Sequence, residues 1–455
     1  MSNSCGDKFK ALVDFAEMEN LDWNIPGLSF GISYGGRSAC ASLGVTNLDH
    51  PLAVTTDTLF QIGSVTKTFV ATAIMRLVEE KKLRLDDTVQ SLIPNFRVAD
   101  QAASAKATVW HLLTHTSGWV GDVFKNTGTG DDALARYVAD MADLEQLAPI
   151  GQAFSYNNSA FTVLGHIIER VTEKTFEVAL KDLVLEPLEL NNTYLKPIDV
   201  MTRRFVVGHN NYSKGLAVAR PWGNERSGIP QGGIICDIND LLRYADFHLG
   251  DGTTKSGTRL LSFDLVAEMH APHTMIWTNE HWGLGWSVEL VDGEWWISHR
   301  GVTNGQVCIL RLAPSRKFGV AVLTNAQHGA QAAERISSEA MRLFLGIEPS
   351  APSPRDSTAT EFAELVGIYV CPFSEVRLSL RNASLAADVT YLKGFPNEEA
   401  QPFPAPPTMN VDLCGNDRLV VLDGAYIGQK VEVLRGTDGS IESIRFDGRI
   451  HVHRR

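Results

Sequence analysis

A serine and a lysine lie three residues apart in the stretch QIGSVTKT, where a strongly amphipathic helical run begins. Residues i and i+3 of a helix share a face, with Cβ atoms about 5–6 Å apart, so the Ser64 hydroxyl and the Lys67 amine can touch. A serine hydroxyl needs a nearby base to act as a nucleophile, and a lysine amine can serve when burial or another cation lowers its pKa. The spacing therefore predicts nucleophilic catalysis by Ser64 with Lys67 as its base.

Apolar residues behind this pair recur at helical spacing, while charged residues gather at the far end of the run. Val70, Ala73, Ile74 and Leu77 carry the apolar stripe, which is typical of a helix that packs against a core. Unpaired N–H groups at a helix N-terminus favour an anion formed there during attack. We therefore predict a buried helix over residues 64–82 whose N-terminus lies at a site.

Two later segments carry further polar side chains in suggestive places. Tyr156 and Asn158 stand two residues apart in FSYNNS, on a predicted loop before a helix, so both side chains can point into a cleft. His299 and Gly301 lie where a strand-like run ends. Together with the Ser64 helix, these segments would supply hydrogen-bond donors and acceptors of the kind that acyl transfer needs.

His111 and His115 have the i, i+4 spacing that can hold a metal ion on a helix. No glutamate follows His111 as in H-E-x-x-H, and no third ligand is evident. We instead predict a helix end held by side-chain hydrogen bonds, with no metal and no cofactor.

Sheet-like runs occupy both ends of the first 347 residues. A hairpin is predicted around Gly35-Gly36, and strands are predicted over residues 282–286, 294–298, 307–312 and 318–325, followed by a helix over 331–345. A helix-rich insertion between these runs predicts an α/β fold, in which helices flank an antiparallel sheet and form a helical subdomain.

Composition limits the classes of function. The chain has 455 residues, of which 44% are hydrophobic and 21% charged, and a net charge of -12. These values predict a soluble globular protein of two or three domains and argue against a nucleic-acid partner or an anionic membrane surface. No apolar signal segment or membrane-length run occurs, so we expect a cytoplasmic protein. The six cysteines lack C-x-x-C spacing and are expected to be reduced. The oligomeric state stays open.

The last hundred residues differ in pattern from the rest. Residues 348–358 are a Pro/Ser linker between a first domain, residues 1–347, and a second domain, residues 359–455. Short strand-like runs at 376–380, 384–390, 418–422, 430–434 and 449–453, with an Asp447-Gly448 turn, predict a small all-β barrel. We expect His451 and His453 to be surface or edge residues rather than ligands.

Three motifs in this order resemble those of the serine β-lactamase and penicillin-binding-protein superfamily. They are Ser64-x-x-Lys67, Tyr156-x-Asn158 and His299-x-Gly301, and the resemblance covers residues 10–347. It is specifically similar to the class C-like serine hydrolases, which include D-alanyl-D-alanine carboxypeptidases, D-aminopeptidases, family VIII esterases and amidases. The C-terminal region resembles the lipocalin-like domain appended to some members.

The resemblance implies a role for each motif residue. Ser64 would attack a carbonyl and become acylated, while Lys67 and Tyr156 would share the proton transfers. Asn158 would hold Lys67 and the substrate amide. The backbone N–H groups of Ser64 and Val302 would form the oxyanion hole.

His299 would line the opposite wall and help to place Tyr156 or the substrate, with Arg300 and Gly301 beside it as substrate-binding residues. Many β-lactamases and carboxypeptidases have lysine at the position of His299. Because histidine is less reliably charged at pH 7, recognition of a free C-terminal carboxylate is weakened unless Arg300 or another cation compensates. We therefore expect a peptidase, amidase or esterase rather than a penicillinase.

Three functions stay open. The first is hydrolysis of a small peptide, amide or ester, whose acyl side can carry a D-residue. The second is transfer of a nonribosomal peptidyl group to an amine, as in penicillin-binding-protein-type thioesterases, with a carrier-protein-bound peptide as substrate. The third is a sensor that is acylated and does not turn over. Loops around residues 119–150, 198–230 and 270–282, together with barrel residues that reach the cleft, would set specificity.

Overall fold

The computed structural model describes residues 3–212, 214–348, 352–381 and 384–454. Within these ranges a helix-flanked antiparallel sheet is followed by a closed barrel, which confirms the predicted fold class. Residues 349–351 of the predicted linker lie outside the described residues, and the domain boundaries stay predictions. No helix in these ranges has both the length and the hydropathy that crossing a membrane requires. The cytoplasmic location also stays a prediction.

The N-terminal part is built on strands from both of its ends. Its strands are β1 (Gly27–Tyr34), β2 (Arg37–Gly44), β3 (Phe60–Gln61), β4 (Thr193–Tyr194), β5 (His209–Tyr212), β6 (Gly215–Val218), β7 (Ile235–Cys236), β8 (Thr274–Trp277), β9 (Glu280–Trp282), β10 (Ser287–Val291), β11 (Glu294–Thr303), β12 (Gln306–Ala313) and β13 (Phe318–Thr324). The main sheet has the order β2-β1-β13-β12-β11-β10-β9-β8 and is antiparallel throughout. The predicted hairpin around Gly35-Gly36 forms β1 and β2.

Helices cover both faces of this sheet. They are α1 (Asn3–Asp22), α2 (Thr66–Glu79), α3 (Val89–Leu92), α4 (Gln101–Lys106), α5 (Val109–Leu113), α6 (Ala133–Ala139), α7 (Asn158–Thr172), α8 (Phe176–Leu180), α9 (Pro197–Val200), α10 (Ile229–Gly232), α11 (Ile238–Leu249), α12 (Phe263–His270) and α13 (Ala330–Leu345). Helices α1 and α13 share a core with one face of the sheet, whereas α2, α7 and α11 belong to the larger core. This layering explains why β1 is buried along almost its whole length.

Helix α2 lies in the centre of the larger core. Phe69, Val70, Ala73, Ile74 and Leu77 are each at most 1% exposed. The apolar stripe in the sequence therefore predicted the burial of this helix correctly. Burial on nearly all sides holds the first turn of the helix at a defined place relative to the sheet.

The strand predicted over residues 282–286 is wrong for most of its length. Strand β9 ends at Trp282, and the residues that follow form a loop. The Leu284 N–H donates to Met269 O at 3.0 Å, and the Gly285 N–H donates to Leu113 O at 3.1 Å, so these donors go to helical segments instead of a strand partner. Tertiary packing has overridden the local strand pattern.

The C-terminal part begins with helix α14 (Ala359–Leu365) and forms a closed antiparallel barrel. Its strands are β14 (Gly367–Val370), β15 (Ser374–Arg381), β16 (Ser384–Tyr391), β17 (Met409–Gly415), β18 (Arg418–Val421), β19 (Lys430–Arg435), β20 (Ile441–Phe446) and β21 (Arg449–Arg454). Five of these match predicted runs, and β14, β17 and β20 were not predicted. Asp447 and Gly448 form the predicted two-residue turn between β20 and β21.

The expectation that His451 is a surface residue is wrong, because it is only 1% exposed. Its Nδ1 lies 3.1 Å from Arg449 O, and its Nε2 lies 2.9 Å from Ser374 Oγ. Since a carbonyl only accepts, Nδ1 donates and Nε2 accepts from the serine hydroxyl. These bonds hold the start of β21.

The barrel packs directly against the N-terminal part. Arg445 Nη1 donates to Ile276 O at 3.2 Å, and Asn397 Nδ2 donates to Glu225 Oε1 at 2.8 Å. Phe124 makes an edge-to-face contact with Phe373 at 5.5 Å between ring centroids. The turn between β20 and β21 consequently lies beside the Tyr156 loop.

Candidate active site

The Ser64–Lys67 pair meets as the spacing predicted. Residues Gly63–Val65 form a 3-10 turn that leads directly into α2, so Ser64 is partly exposed while Lys67 is buried in the first helical turn. Lys67 Nζ lies within hydrogen-bonding distance of Ser64 Oγ, at 3.1 Å, and donates to the carbonyl oxygen of Gln231 at 2.5 Å. The amine is therefore held against the hydroxyl that it would activate.

The surroundings of Lys67 favour a neutral amine. Its side chain is fully buried, and Nζ lies 5.0 Å from the ring centroid of Tyr156 and 5.5 Å from that of Phe161. Burial holds the pKa of Lys67 well below its usual range, and the nearby Arg449 charge lowers it further, against a smaller opposing effect of Asp122. A lysine in this state can accept a proton.

Tyr156 faces the same pair from the loop before α7. The ring packs against that of His115 in a tilted arrangement, with centroids 4.4 Å apart. The hydroxyl is buried and makes no hydrogen bond of normal geometry with the described residues. Burial raises the pKa of Tyr156, while the adjacent Ser64 hydroxyl and the Arg449 charge oppose the rise. The phenol therefore keeps its proton near neutral pH and is placed to pass it onward.

Asn158 is bonded to a buried carboxylate. Its Nδ2 donates to Asp122 Oδ1 at 2.5 Å, whereas the hydrogen bonds of Lys67 among the described residues go to Ser64 and Gln231. Among the described residues, no hydrogen bond joins Asn158 to Lys67, and a role of Asn158 in holding Lys67 stays a prediction. Asn157 caps α7 by accepting from Ala160 N at 2.8 Å, which makes Asn158 the first helical residue.

His299 lines the opposite wall on β11 and is 3% exposed. Its Nδ1 lies 2.8 Å from Arg300 O, so this nitrogen carries the proton and Nε2 is an acceptor. Nε2 is buried and has no hydrogen-bond partner among the described residues. Burial lowers the pKa of His299 to about 3, so the imidazole is neutral. It presents a lone pair to the site, not a positive charge.

The backbone of β11 approaches the nucleophile turn very closely. A Cβ placed on Gly301 would lie 1.8 Å from Ile62 O and 3.0 Å from Ser64 N, and one on Gly63 would lie 2.6 Å from Val302 N. Only glycine permits such an approach. The N–H groups of Ser64 and Val302 are thus brought to one place, as an oxyanion hole needs.

Comparison with known proteins agrees with this geometry. The beta-lactamase family model matches residues 10–340. Penicillin-binding protein 4 of Amycolatopsis lactamdurans is 33% identical over 356 residues, which are 76% of this chain and 93% of that protein. The chain belongs to the beta-lactamase family. This family comprises enzymes of the serine acyl-enzyme type, which agrees with the neutral lysine beside Ser64.

Two solved structures extend the comparison of the fold. SurE superposes with a TM-score of 0.78 at 23% identity, over 99% of this chain and 100% of that chain. The class C beta-lactamase of Rhodobacter sphaeroides gives a TM-score of 0.60 at 22% identity, over 74% of this chain and 99% of that chain. The first likeness therefore includes the barrel, and the second is confined to part of the chain.

In this beta-lactamase family member, the barrel brings a cation to the candidate site. Arg300 is exposed, and it alternates with His299 along β11. Arg449 of β21 lies with its guanidinium carbon 4.7 Å from the Tyr156 ring centroid, and the Tyr156 N–H donates to Gly448 O at 2.8 Å. The barrel thus places a positive charge beside Tyr156, and the role of Arg300 stays a prediction.

Sequence analysis missed four residues that surround the motif side chains: Asp122, His115 as a site residue, Gln231 and Arg449. Gln231 contributes through its backbone carbonyl. Every residue type has this group, so the sequence could not indicate Gln231. His115 Nδ1 accepts from Asn157 N at 2.9 Å, so it shapes the Tyr156 loop. The Asp447-Gly448 turn signal was visible, but nothing local indicated that this turn reaches Tyr156.

The helix-end interpretation of His111 is confirmed. Thr108 and His111 form a reciprocal cap of α5, in which the His111 ring accepts from Thr108 N at 3.2 Å. His111 therefore caps α5, whereas His115 bonds to the Tyr156 loop.

The state of Lys67 predicts the pH dependence of acylation. We expect the rate of Ser64 labelling by a fluorophosphonate to be high at neutral pH and to fall toward acid pH, because protonation of Lys67 removes the base. The fall should lie well below the pH at which an ordinary lysine titrates, about 10.4. Rates measured by intact mass from about pH 5 to about pH 9, corrected for spontaneous hydrolysis of the reagent, test this. A rate that becomes appreciable only near the ordinary lysine pKa contradicts it.

Proposed function

We propose that this chain is a serine hydrolase that forms an acyl-enzyme on Ser64 and releases the acyl group of a small peptide, amide or ester to water. The observation that carries the proposal is the 3.1 Å contact between Lys67 Nζ and Ser64 Oγ, in a setting that keeps the amine neutral. Lys67 would accept the Ser64 proton during attack. Tyr156 would deliver its proton to the leaving group and take up the proton that Lys67 has gained, so that both groups return to their starting states.

The oxyanion of the tetrahedral intermediate would lie between the N–H groups of Ser64 and Val302. The close approach of Gly301 to the nucleophile turn supports this placement. Asn158, held by Asp122, would bind the substrate amide. These donors are in place before substrate arrives, which is what makes such stabilisation effective.

The substrate would carry an acidic or polar group toward Arg449 and not toward His299. A neutral imidazole cannot attract a carboxylate, whereas the Arg449 guanidinium lies above the Tyr156 ring. We therefore favour peptidase, amidase or esterase activity, including activity on D-residues, over β-lactam hydrolysis. SurE, which shares this layout including the barrel, has also been solved with D-Leu, with a TM-score of 0.76 to this chain.

Transfer of the acyl group to an amine is the second candidate. The lone pair of His299 Nε2 is buried and lacks a partner among the described residues, so it can accept from an incoming amine as well as from water. In this version the substrate would be a nonribosomal peptidyl thioester borne by a carrier protein. The alternative of a sensor without turnover shares the first half of the mechanism.

Intact mass and product analysis separate these functions. The full chain is incubated with peptide amides, esters and thioesters that end in a D-residue on the acyl side, with the L-series as the matched control. A transient adduct with release of free acid supports hydrolysis. A cyclic amide from the thioester supports transfer, and a stable adduct without further product supports a sensor. No adduct with any substrate or with a fluorophosphonate would remove the proposal.

A further inference from the structure

One buried carboxylate joins the barrel to the motif residues. Asp122 lies in an irregular segment after Trp119 and is 5% exposed. Its Oδ1 accepts from Asn158 Nδ2 at 2.5 Å, and its Oδ2 accepts from Arg449 Nε at 3.0 Å. The two donors come from the first turn of α7 and from β21 of the barrel. Each carboxylate oxygen thus serves a different part of the molecule.

The arginine in this bridge is itself tightly placed. Arg449 Nη1 donates to Asp447 O at 2.7 Å and to Asp447 Oδ2 at 3.2 Å. The guanidinium then lies over the Tyr156 ring, while the Gly448 carbonyl accepts from the Tyr156 N–H. The position of Arg449 relative to Tyr156 therefore depends on both Asp447 and Asp122.

We propose that Asp122 is a positioning residue that couples the barrel to the catalytic centre, by holding Asn158 and Arg449 in place and balancing the Arg449 charge beside Lys67. The inference rests on the proposed acyl-enzyme function, because the effect is exerted on Lys67 and Tyr156. The barrel would in this way help to set the proton affinity of Lys67.

The chemistry of the bridge requires a carboxylate. Asp122 accepts a hydrogen bond on each side, and an asparagine of the same shape would turn its NH₂ group toward one of the two donors. It would also leave the Arg449 charge without its buried partner. Arg449 would keep its bond to the half-exposed Asp447 carboxylate, but breaking a buried pair from one side is still costly.

The electrostatic part of the coupling acts on Lys67 in two opposed ways. The Arg449 charge favours the neutral amine, and the Asp122 charge favours the ammonium form. The titratable or charged groups that surround Lys67 in the described part of the chain are Tyr156, His115, His299, Arg449 and Asp122. Asp122 is the one carboxylate in this described set. Removing the charge of Asp122 should therefore lower the pKa of Lys67, and removing the charge of Arg449 should raise it.

The test is the pH profile of fluorophosphonate labelling of the full chain, measured by intact mass for the wild type, D122N, R449Q and the double variant. D122N should move the acid limb of the profile to lower pH, and R449Q should move it to higher pH, each by roughly one unit. The double variant should return toward the wild type. Loss of the Asn158 anchor should also lower the plateau rate of D122N, by up to about 10²-fold.

Asp132→Asn is the matched control. Asp132 pairs with Arg136 on the surface of the same part of the chain, with Oδ2 2.7 Å from Arg136 Nε, and both side chains are exposed. This variant should keep the wild-type profile. Thermal unfolding of each variant checks folding, and if D122N does not fold, the upward shift in R449Q carries the test.

Two outcomes overturn the inference in distinguishable ways. A wild type that takes up no label removes the proposed function and this inference with it. A labelled wild type whose acid limb coincides with those of folded D122N and R449Q removes this inference alone, since a purely structural bridge would change stability without moving the limb.

Discussion

Replacing Ser64 with alanine abolishes covalent labelling by fluorophosphonates and lowers substrate turnover by about 10⁶-fold, the scale found when a serine nucleophile is removed. The physical reason is that Ser64 Oγ is the partly exposed oxygen against which the buried Lys67 amine is held. Intact mass shows the outcome directly, because the wild type gains one adduct and Ser64→Ala gains none.

The fold should survive this change. Lys67 retains its bond to the Gln231 carbonyl, and loss of one hydroxyl bond costs about 0.5–1.5 kcal/mol. Ser256→Ala, at an exposed loop serine, is the matched control and should label as the wild type does. Labelling that persists in Ser64→Ala would refute the assignment of the nucleophile.

Gly301→Ala should lower the labelling rate by about 10²–10³-fold while leaving Ser64, Lys67 and Tyr156 present. The added Cβ would lie 1.8 Å from Ile62 O, so β11 and the nucleophile turn must separate. Separation withdraws the Val302 N–H from the place where it would meet the oxyanion. Overpacking at this contact should also destabilise the fold, by about 1–3 kcal/mol.

The measurement combines labelling kinetics with thermal unfolding. Gly6→Ala is the matched control, since a Cβ there meets nothing within 4 Å on an exposed face of α1. That variant should keep both the rate and the midpoint of unfolding. A Gly301→Ala protein that labels at the wild-type rate would show that the close approach of β11 is not needed for catalysis.

Much of the site was predictable because its key relations are local. Ser64 and Lys67 meet through a helical i, i+3 relation, which depends on backbone geometry alone. The apolar stripe of α2 predicted its burial, the Gly35-Gly36 turn predicted the β1–β2 hairpin, and short strand-like runs predicted five of the eight barrel strands. The order of three motifs then indicated a shared cleft. Val302 and Gly301 followed from the third motif.

The wrong or missing predictions concern residues whose structural partners lie far away in the sequence. Asp122 and Arg449 are 327 residues apart, and no local pattern pairs a loop aspartate with a barrel arginine. His451 looked like an edge residue because alternation along β21 does not reveal which face of the strand points into the barrel, where His451 lies opposite the core residue Ile444 and bonds to Ser374. The loop after Trp282 kept a strand-like composition while its donors bonded to helices.

The sequence by itself predicted the contact between Ser64 and Lys67, the order of the motifs and the two kinds of fold, because these follow from helical spacing, strand and turn patterns and the family resemblance. Only the tertiary structure decided that Lys67 is buried among aromatic rings, that His299 presents a lone pair, and that Asp122 joins Asn158 to Arg449 of the barrel. Protonation states and long-range partners depend on burial and on which surfaces meet, and these properties exist only once the chain has folded.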